Sequence, residues 1–175
     1  MSRIDIVKHE QATGALAQTL DGVKAKLGIV PNLFATFANS PAVLNGYLAF
    51  SKALNGGELN ARQREIIALA VGQANSCQYC LSAHTLIGKG AGLSAEAIGN
   101  ARSGYAEDSL TDGLVKLAIK IVDNRGQLND AALQSARKVG ITDSLIIEVI
   151  GLVALNTLTN YTNHIAQTEI DFPVV

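Results

Sequence analysis

Apolar residues return every three or four positions along most of this chain, and no convincing two-residue alternation appears. Leu16, Leu20, Val23 and Leu27 follow that spacing, which predicts an amphipathic helix from about Glu10 to Leu27, ended by Gly28. A connector, Ile29-Val30-Pro31-Asn32, leads to a short helix over Leu33 to Ala38, closed by Asn39-Ser40-Pro41. Pro41 suits the first turn of the next helix, Ala42 to Leu54, which Gly56-Gly57 stops. Asn60 is the expected N-cap of a helix from Ala61 to about Gln73. Its residues Ile66, Ile67, Leu69, Ala70 and Val71 surround the axis, so that helix must be buried.

The second half continues in the same manner. After a helix expected to open at Ser76, Gly88-Lys89-Gly90-Ala91-Gly92 punctuates the chain, and Ser94 to Glu96 begins a short helix reaching about Arg102. Thr111 or Asp112 is expected to cap a helix to about Asn124, with Leu114, Leu117, Ala118 and Ile121 facing inward. Asn129 caps another, to Val139, and Thr142-Asp143 opens the last, expected to run to about Glu169. Its apolar stretch, Leu145 to Leu158, is interrupted by Glu148 and Asn156 and is shorter than a bilayer requires, so it reads as a core helix. The expected fold class is all-α: a helical bundle in one domain spanning 1–175.

Composition narrows the function. With 48% hydrophobic residues, 17% charged and a net charge of −1 over 175 residues, the chain has ample material for a core. It carries no electrostatic footprint for nucleic acid or an anionic membrane. The first ten residues bear charge every few positions and lack the apolar core of a secretory leader, so the expected compartment is the cytoplasm. A dithiol there is more often transient and catalytic than a structural staple.

The only two cysteines, Cys77 and Cys80, stand three apart with His84 four further on, a CxxCxxxH pattern. With Ser76 as N-cap, both thiols would lie in the first helical turn, where free N–H groups and the helix dipole stabilise a thiolate. At about 100° per residue the three side chains fall within about 60° of one another, so the imidazole can reach a thiol. Taken singly, each residue is more often inert than catalytic; the joint spacing, using every cysteine present, is what points to redox chemistry. A structural zinc site would be one ligand short, with His9 and His164 both distant in sequence. Glu65 sits at the margin of its apolar helix, with Arg62 and Arg64 as candidate salt-bridge partners.

A shift of 83 positions lays Glu65 on Glu148, and Ile66-Ile67-Ala68-Leu69 on Val149-Ile150-Gly151-Leu152. This predicts an internal repeat: a redox-active half over about 42–92 and a degenerate half over about 110–170. Under that shift Cys77 falls on Asn160, Cys80 on Asn163 and His84 on Gln167, so the second copy has polar groups but no thiol. His164 is off-register and reads as structural.

Glu65, the eleven residues that follow it, Cys77-Gln78-Tyr79-Cys80 and His84 resemble the signature of the alkylhydroperoxidase AhpD-like family, the peroxidase-related branch of the carboxymuconolactone decarboxylase superfamily. The ending Asn160-Tyr161-Thr162-Asn163…Glu169-Ile170-Asp171-Phe172-Pro173 is similar to that branch as well. The resemblance implies an AhpD-like helical bundle and a peroxidase that reduces organic hydroperoxides. Cys80 would be the attacking thiol and Cys77 the resolving one, with His84 the nearby base and Glu65 the distal proton acceptor. It also implies recharging by an external dihydrolipoyl or thioredoxin-like donor and a homo-oligomer, trimer or hexamer; no cofactor is expected from the residues themselves, since Gly88-x-Gly90-x-Gly92 follows a helix rather than a strand and is no dinucleotide fingerprint. Tyr79 stands where well-studied members have a second histidine, and it cannot shuttle protons near neutral pH. Three readings compete: the peroxidase, a protein disulfide reductase or redox-responsive protein using the same CxxC, and a helical oligomer with a vestigial site.

Overall fold

The computed structural model describes residues 2–175. Among them stand nine α-helices and no strand: α1 (Gly14–Leu27), α2 (Asn32–Phe37), α3 (Pro41–Leu54), α4 (Ala61–Ala74), α5 (Gln78–Gly90), α6 (Ala95–Arg102), α7 (Ser109–Asp123), α8 (Asp130–Lys138) and α9 (Asp143–Ala166).

The bundle is built round α4. Asn60 Oδ1 accepts from Gln63 N–H while the Gln63 side chain accepts from Asn60 N–H, a reciprocal cap that fixes the helix start. Beyond the first turn α4 is buried on all sides, from Ile66 to Gly72. One side, through Ile67 and Val71, joins Leu114, Leu117, Val149 and Leu152 of α7 and α9. Another, through Ile66, Leu69 and Ala70, joins Leu81, Ile98, Ala101 and Val115. Ile67 is fully buried, and truncating such a side chain to alanine costs about 2–5 kcal/mol. A further cluster, Leu20, Leu33, Phe37, Leu44, Cys77, Tyr79 and Cys80, fills the space among α1, α2, α3 and α5.

Several boundaries differ from the sequence expectation. The first helix does not run unbroken from Glu10: a short turn, His9–Gln11, is separated from α1 by the extended residues Ala12 and Thr13, and Gly14, which opens α1, has a left-handed φ of 59°. α7 is capped by Asp108, whose carboxylate accepts from Thr111 N–H, rather than by Thr111 or Asp112. α9 ends at Ala166. Its 24 residues make it long and apolar enough to cross a membrane, yet one side packs on α2, α3, α4, α5 and α7 in the centre of the bundle. Where the 83-residue shift would place a break matching the one between α4 and α5, α9 continues without interruption.

Candidate active site

The turn between α4 and α5 carries both thiols. Ser76 N–H donates to Gln73 carbonyl and Cys77 N–H to Gly72 carbonyl, the paired bonds of a Schellman stop, with Ser76 in the left-handed region at φ 55°. Ser76 therefore ends α4 and cannot begin α5. The N-cap of α5 is Cys77 itself, whose Sγ accepts from Cys80 N–H at 3.3 Å. One residue thus closes one helix and opens the next, and Cys80 occupies the first turn of α5.

Cys77 and Cys80 are joined as a disulfide with Cα atoms 5.3 Å apart. Both are buried, at 1% and 3% exposure. Cys80 also lines a largely apolar cavity of about 290 Å³, walled by Leu33 and Phe34 of α2, Tyr47 of α3, Tyr79, His84 and Ile87 of α5, and Phe172 of the C-terminal segment. A site of this kind suits a small organic molecule.

His84 lies one turn beyond Cys80, on the same cavity wall. Its Nδ1 is 2.8 Å from Glu65 Oε2, and the side chains are 21% and 16% exposed. Glu65 opens onto a second cavity of about 320 Å³ that His84 and Tyr47 also line, so the imidazole stands between the space beside the sulfur and the space beside the carboxylate. Neither predicted arginine pairs with Glu65: Arg62 donates to Gly92 carbonyl at 2.6 Å and Arg64 to Leu59 carbonyl. Both arginines satisfy loop backbone, which leaves the carboxylate to the imidazole. Tyr47 packs between Phe34 and Phe37, and burial together with the Glu65 carboxylate pushes its hydroxyl up to about 12.

Tyr79 turns away from the relay. Its hydroxyl accepts from Leu33 N–H at 3.1 Å, satisfying one of the free donors at the start of α2, and its ring meets Phe172 edge-on at 5.5 Å. Burial raises the Tyr79 hydroxyl far above its ordinary range, outweighing the Leu33 bond, and the Asp171 carboxylate adds to the rise. Asp171 accepts from Asn32 N–H at 2.8 Å, while Gln78 Nε2 donates to Val175 carbonyl, so the C-terminal segment closes over the cavity.

Sequence reasoning missed three groups here. Tyr47 carried no signal beyond an apolar helix face. Asn160 and Asn163 carry one signal, the shift of 83 that lays them on the cysteines, and it does not say where their amides point. In the folded chain they meet those same sulfurs: Asn160 Nδ2 lies 2.9 Å from Cys80 Sγ, and Asn163 Nδ2 lies 3.4 Å from Cys80 Sγ and 3.9 Å from Cys77 Sγ. His164 is exposed on α9. No group of three or more His, Cys, Asp or Glu able to hold a metal ion occurs among the described residues.

Residues 41–113 match the model of the carboxymuconolactone decarboxylase family, a span that includes Glu65, both cysteines and His84. No curated protein gives a significant sequence match. Among solved structures, the chain is similar to a peroxidase-related protein of Ralstonia eutropha JMP134 described as an alkylhydroperoxidase AhpD core, with TM-score 0.87 and 24% identity over 97% of this chain and 92% of that one. It is similar to a peroxidase-related protein of Silicibacter sp. TM1040, with TM-score 0.81 and 20% identity over 97% and 94%. The debrominase Bmp8, solved as a cysteine-to-alanine variant in complex with 2,3,4-tribromopyrrole, has the same fold at TM-score 0.81 and 15% identity, over 98% and 92%. The match to the carboxymuconolactone decarboxylase family thus covers the segment that carries the site, and the chain as a whole has the fold of these AhpD-like, peroxidase-related proteins.

Proposed function

We propose that this chain is a thiol-dependent peroxidase that reduces organic hydroperoxides by cycling between a Cys77/Cys80 dithiol and the disulfide. The observation that carries the reading is a CxxC pair at a helix start, one sulfur of which lines an apolar cavity shared with a Glu65-backed imidazole.

In the reaction, the Cys80 thiolate attacks the terminal peroxide oxygen. An S–O bond forms, the O–O bond breaks, and the alkoxide leaves as the alcohol after taking a proton from His84. Cys77 then attacks the Cys80 sulfenic acid: the S–S bond forms, the S–O bond breaks, and hydroxide leaves as water with the Cys77 proton. Both electrons come from the two thiols. Glu65 holds the imidazole through Nδ1, which keeps Nε2 as the working nitrogen and favours the imidazolium when it forms. An external dithiol slender enough to enter the cavity, as a dihydrolipoyl group is, resets the disulfide, and the cytoplasm supplies such donors.

The alternative substrate, another protein's disulfide, fits less well. Both sulfurs are buried, so a folded partner cannot reach Cys80 except by a slender group entering the cavity. The domain is a single unit with its redox half over 42–92, and it assembles as a trimer or hexamer. Along α9 the residues Ile147, Ile150, Leu158, Tyr161 and Ile165 form an exposed apolar stripe, Ile147 at 67% and Ile165 at 64%, that a neighbouring copy would cover.

The test is consumption of an alkyl hydroperoxide with a small dithiol as reductant, beside Cys80→Ser and Cys77→Ser. Turnover that disappears in both variants supports the reading. Turnover that survives in Cys80→Ser contradicts it. Because a fold relative is a debrominase, a brominated pyrrole is the control substrate; debromination faster than peroxide reduction would move the assignment to reductive dehalogenation by the same thiols.

A further inference from the structure

The two cysteines are not equivalent in the folded chain, and the difference comes from α9. Cys80 Sγ faces two side-chain amides, Asn160 Nδ2 at 2.9 Å and Asn163 Nδ2 at 3.4 Å. Cys77 Sγ has the Cys80 backbone N–H at 3.3 Å and the Asn163 amide only at 3.9 Å. The orientation of Asn160 is fixed from behind, since its Oδ1 accepts from Asn75 Nδ2 at 2.8 Å. A sulfur without a proton can only accept, so the nitrogen end of each carboxamide must face it.

Stability does not explain these residues. Asn160 is fully buried and Asn163 is 5% exposed, and Asn163 Oδ1 has no hydrogen-bond partner among the described residues. A buried amide with an orphan oxygen costs free energy that an apolar side chain of the same size would not. What the pair supplies is two N–H donors converging on one buried sulfur. Such donors stabilise a thiolate far more than a neutral thiol.

We infer that Asn160 and Asn163 form a carboxamide cradle that holds Cys80 as the thiolate and so makes it, rather than the N-cap Cys77, the nucleophile. Asn75 acts as a positioning residue through Asn160. The inference deepens the peroxidase reading above by naming what activates its nucleophile, but it is measured without a peroxide. The other titratable groups round the sulfur are Tyr79 and His84 on α5, Glu65 behind His84 on α4, Tyr47 on α3 and Asp171 in the C-terminal segment. All are unchanged in the variants below, so their influence cancels in the comparison.

The experiment is a titration of Cys80 in reduced Cys77→Ser protein, read by ultraviolet thiolate absorbance and by the pH dependence of alkylation with iodoacetamide. Replacing Asn160 with alanine should raise the Cys80 midpoint by about one to two pH units, each unit lowering the thiolate fraction roughly tenfold below the midpoint. Asn163→Ala should raise it by less, and Asn75→Ala, which leaves the sulfur contact in place but unfixes it, by less again. If Asn160→Ala does not fold, Asn160→Leu keeps the volume, removes the donor and reads the same quantity. A Cys80 midpoint unmoved in folded Asn160 and Asn163 variants overturns the inference. A shifted midpoint in a protein that leaves hydroperoxides untouched would overturn the peroxidase reading alone.

Discussion

Asn160 Nδ2 lies 2.9 Å from Cys80 Sγ, although 80 positions separate the two residues in the chain. The contact exists because α4 and α5 pack against the uninterrupted α9, which delivers a row of buried polar groups, Asn156, Thr159, Asn160 and Asn163, to the side facing the disulfide. The CxxC segment supplies the thiols, and the far end of the chain supplies their surroundings.

The Glu65–His84 pair gives the first prediction. On the proposed mechanism, replacing His84 with alanine removes the proton donor to the leaving alkoxide and should lower the single-turnover rate with hydroperoxide by about 10²–10⁴-fold. Glu65→Gln keeps a hydrogen-bond acceptor beside Nδ1 but loses the charge that favours imidazolium, so the loss should be smaller. Stopped-flow rates for both variants, with thermal melts as the folding control, check the order.

Tyr79 should prove to be a structural wall rather than a relay group. Tyr79→Phe leaves Leu33 N–H, in a residue 7% exposed, without its partner and should cost about 1–3 kcal/mol in urea unfolding. Peroxide turnover should remain within about twofold, because an alcohol held by burial so far above its usual range exchanges no proton near neutral pH. A large loss of turnover with normal stability would place Tyr79 in the proton path instead.

Ser76 occupies a left-handed position, φ 55°, where a side chain costs energy that glycine does not pay. Ser76→Gly should therefore raise stability by about 0.5–1 kcal/mol, partly offset by the greater freedom of glycine in the unfolded chain. The denaturant midpoint measures it. A drop in stability would mean that the serine side chain contributes something its exposed position does not suggest.

Asp108 links stability to acid. Its carboxyl lies below the ordinary carboxylate range, chiefly because it accepts from Thr111 N–H at the start of α7. The stabilisation is present in full above the unfolded value, near pH 4, and fades as the pH falls through the lower folded value. Asp108→Asn keeps a capping oxygen without titrating there, so its melting temperature should fall less than the parent's between pH 5 and pH 3. Parallel acid limbs for the two proteins would exclude the contribution.

Most of the helical architecture could be read from the chain because its caps are chemically explicit. Asn60, Ser94, Asn129 and Thr142 each precede an apolar period, and each accepts a backbone N–H at the start of its helix. The reading failed where several candidates competed. Asp108, Thr111 and Asp112 all suit a cap, and only the burial of Thr111 against the core decides for Asp108. Ser76 resembles an N-cap in sequence, but the tight stop of α4 consumes it. The thiols, His84 and Glu65 were legible because their spacing lies along one segment and its neighbour. Asn160 and Asn163 were not, since nothing local distinguishes an amide aimed at a sulfur from one aimed at solvent.

The most direct test is a single turnover. Reduced protein is mixed with one equivalent of an alkyl hydroperoxide, and free thiol, sulfenic acid and disulfide are followed by quenching and mass spectrometry, with free dithiothreitol as reference. The account predicts loss of both thiols into the Cys77–Cys80 disulfide much faster than the reference, sulfenic acid accumulating on Cys80 in Cys77→Ser, and no reaction in Cys80→Ser. Oxidation no faster than the free dithiol, or sulfenic acid forming on Cys77 instead, would contradict it.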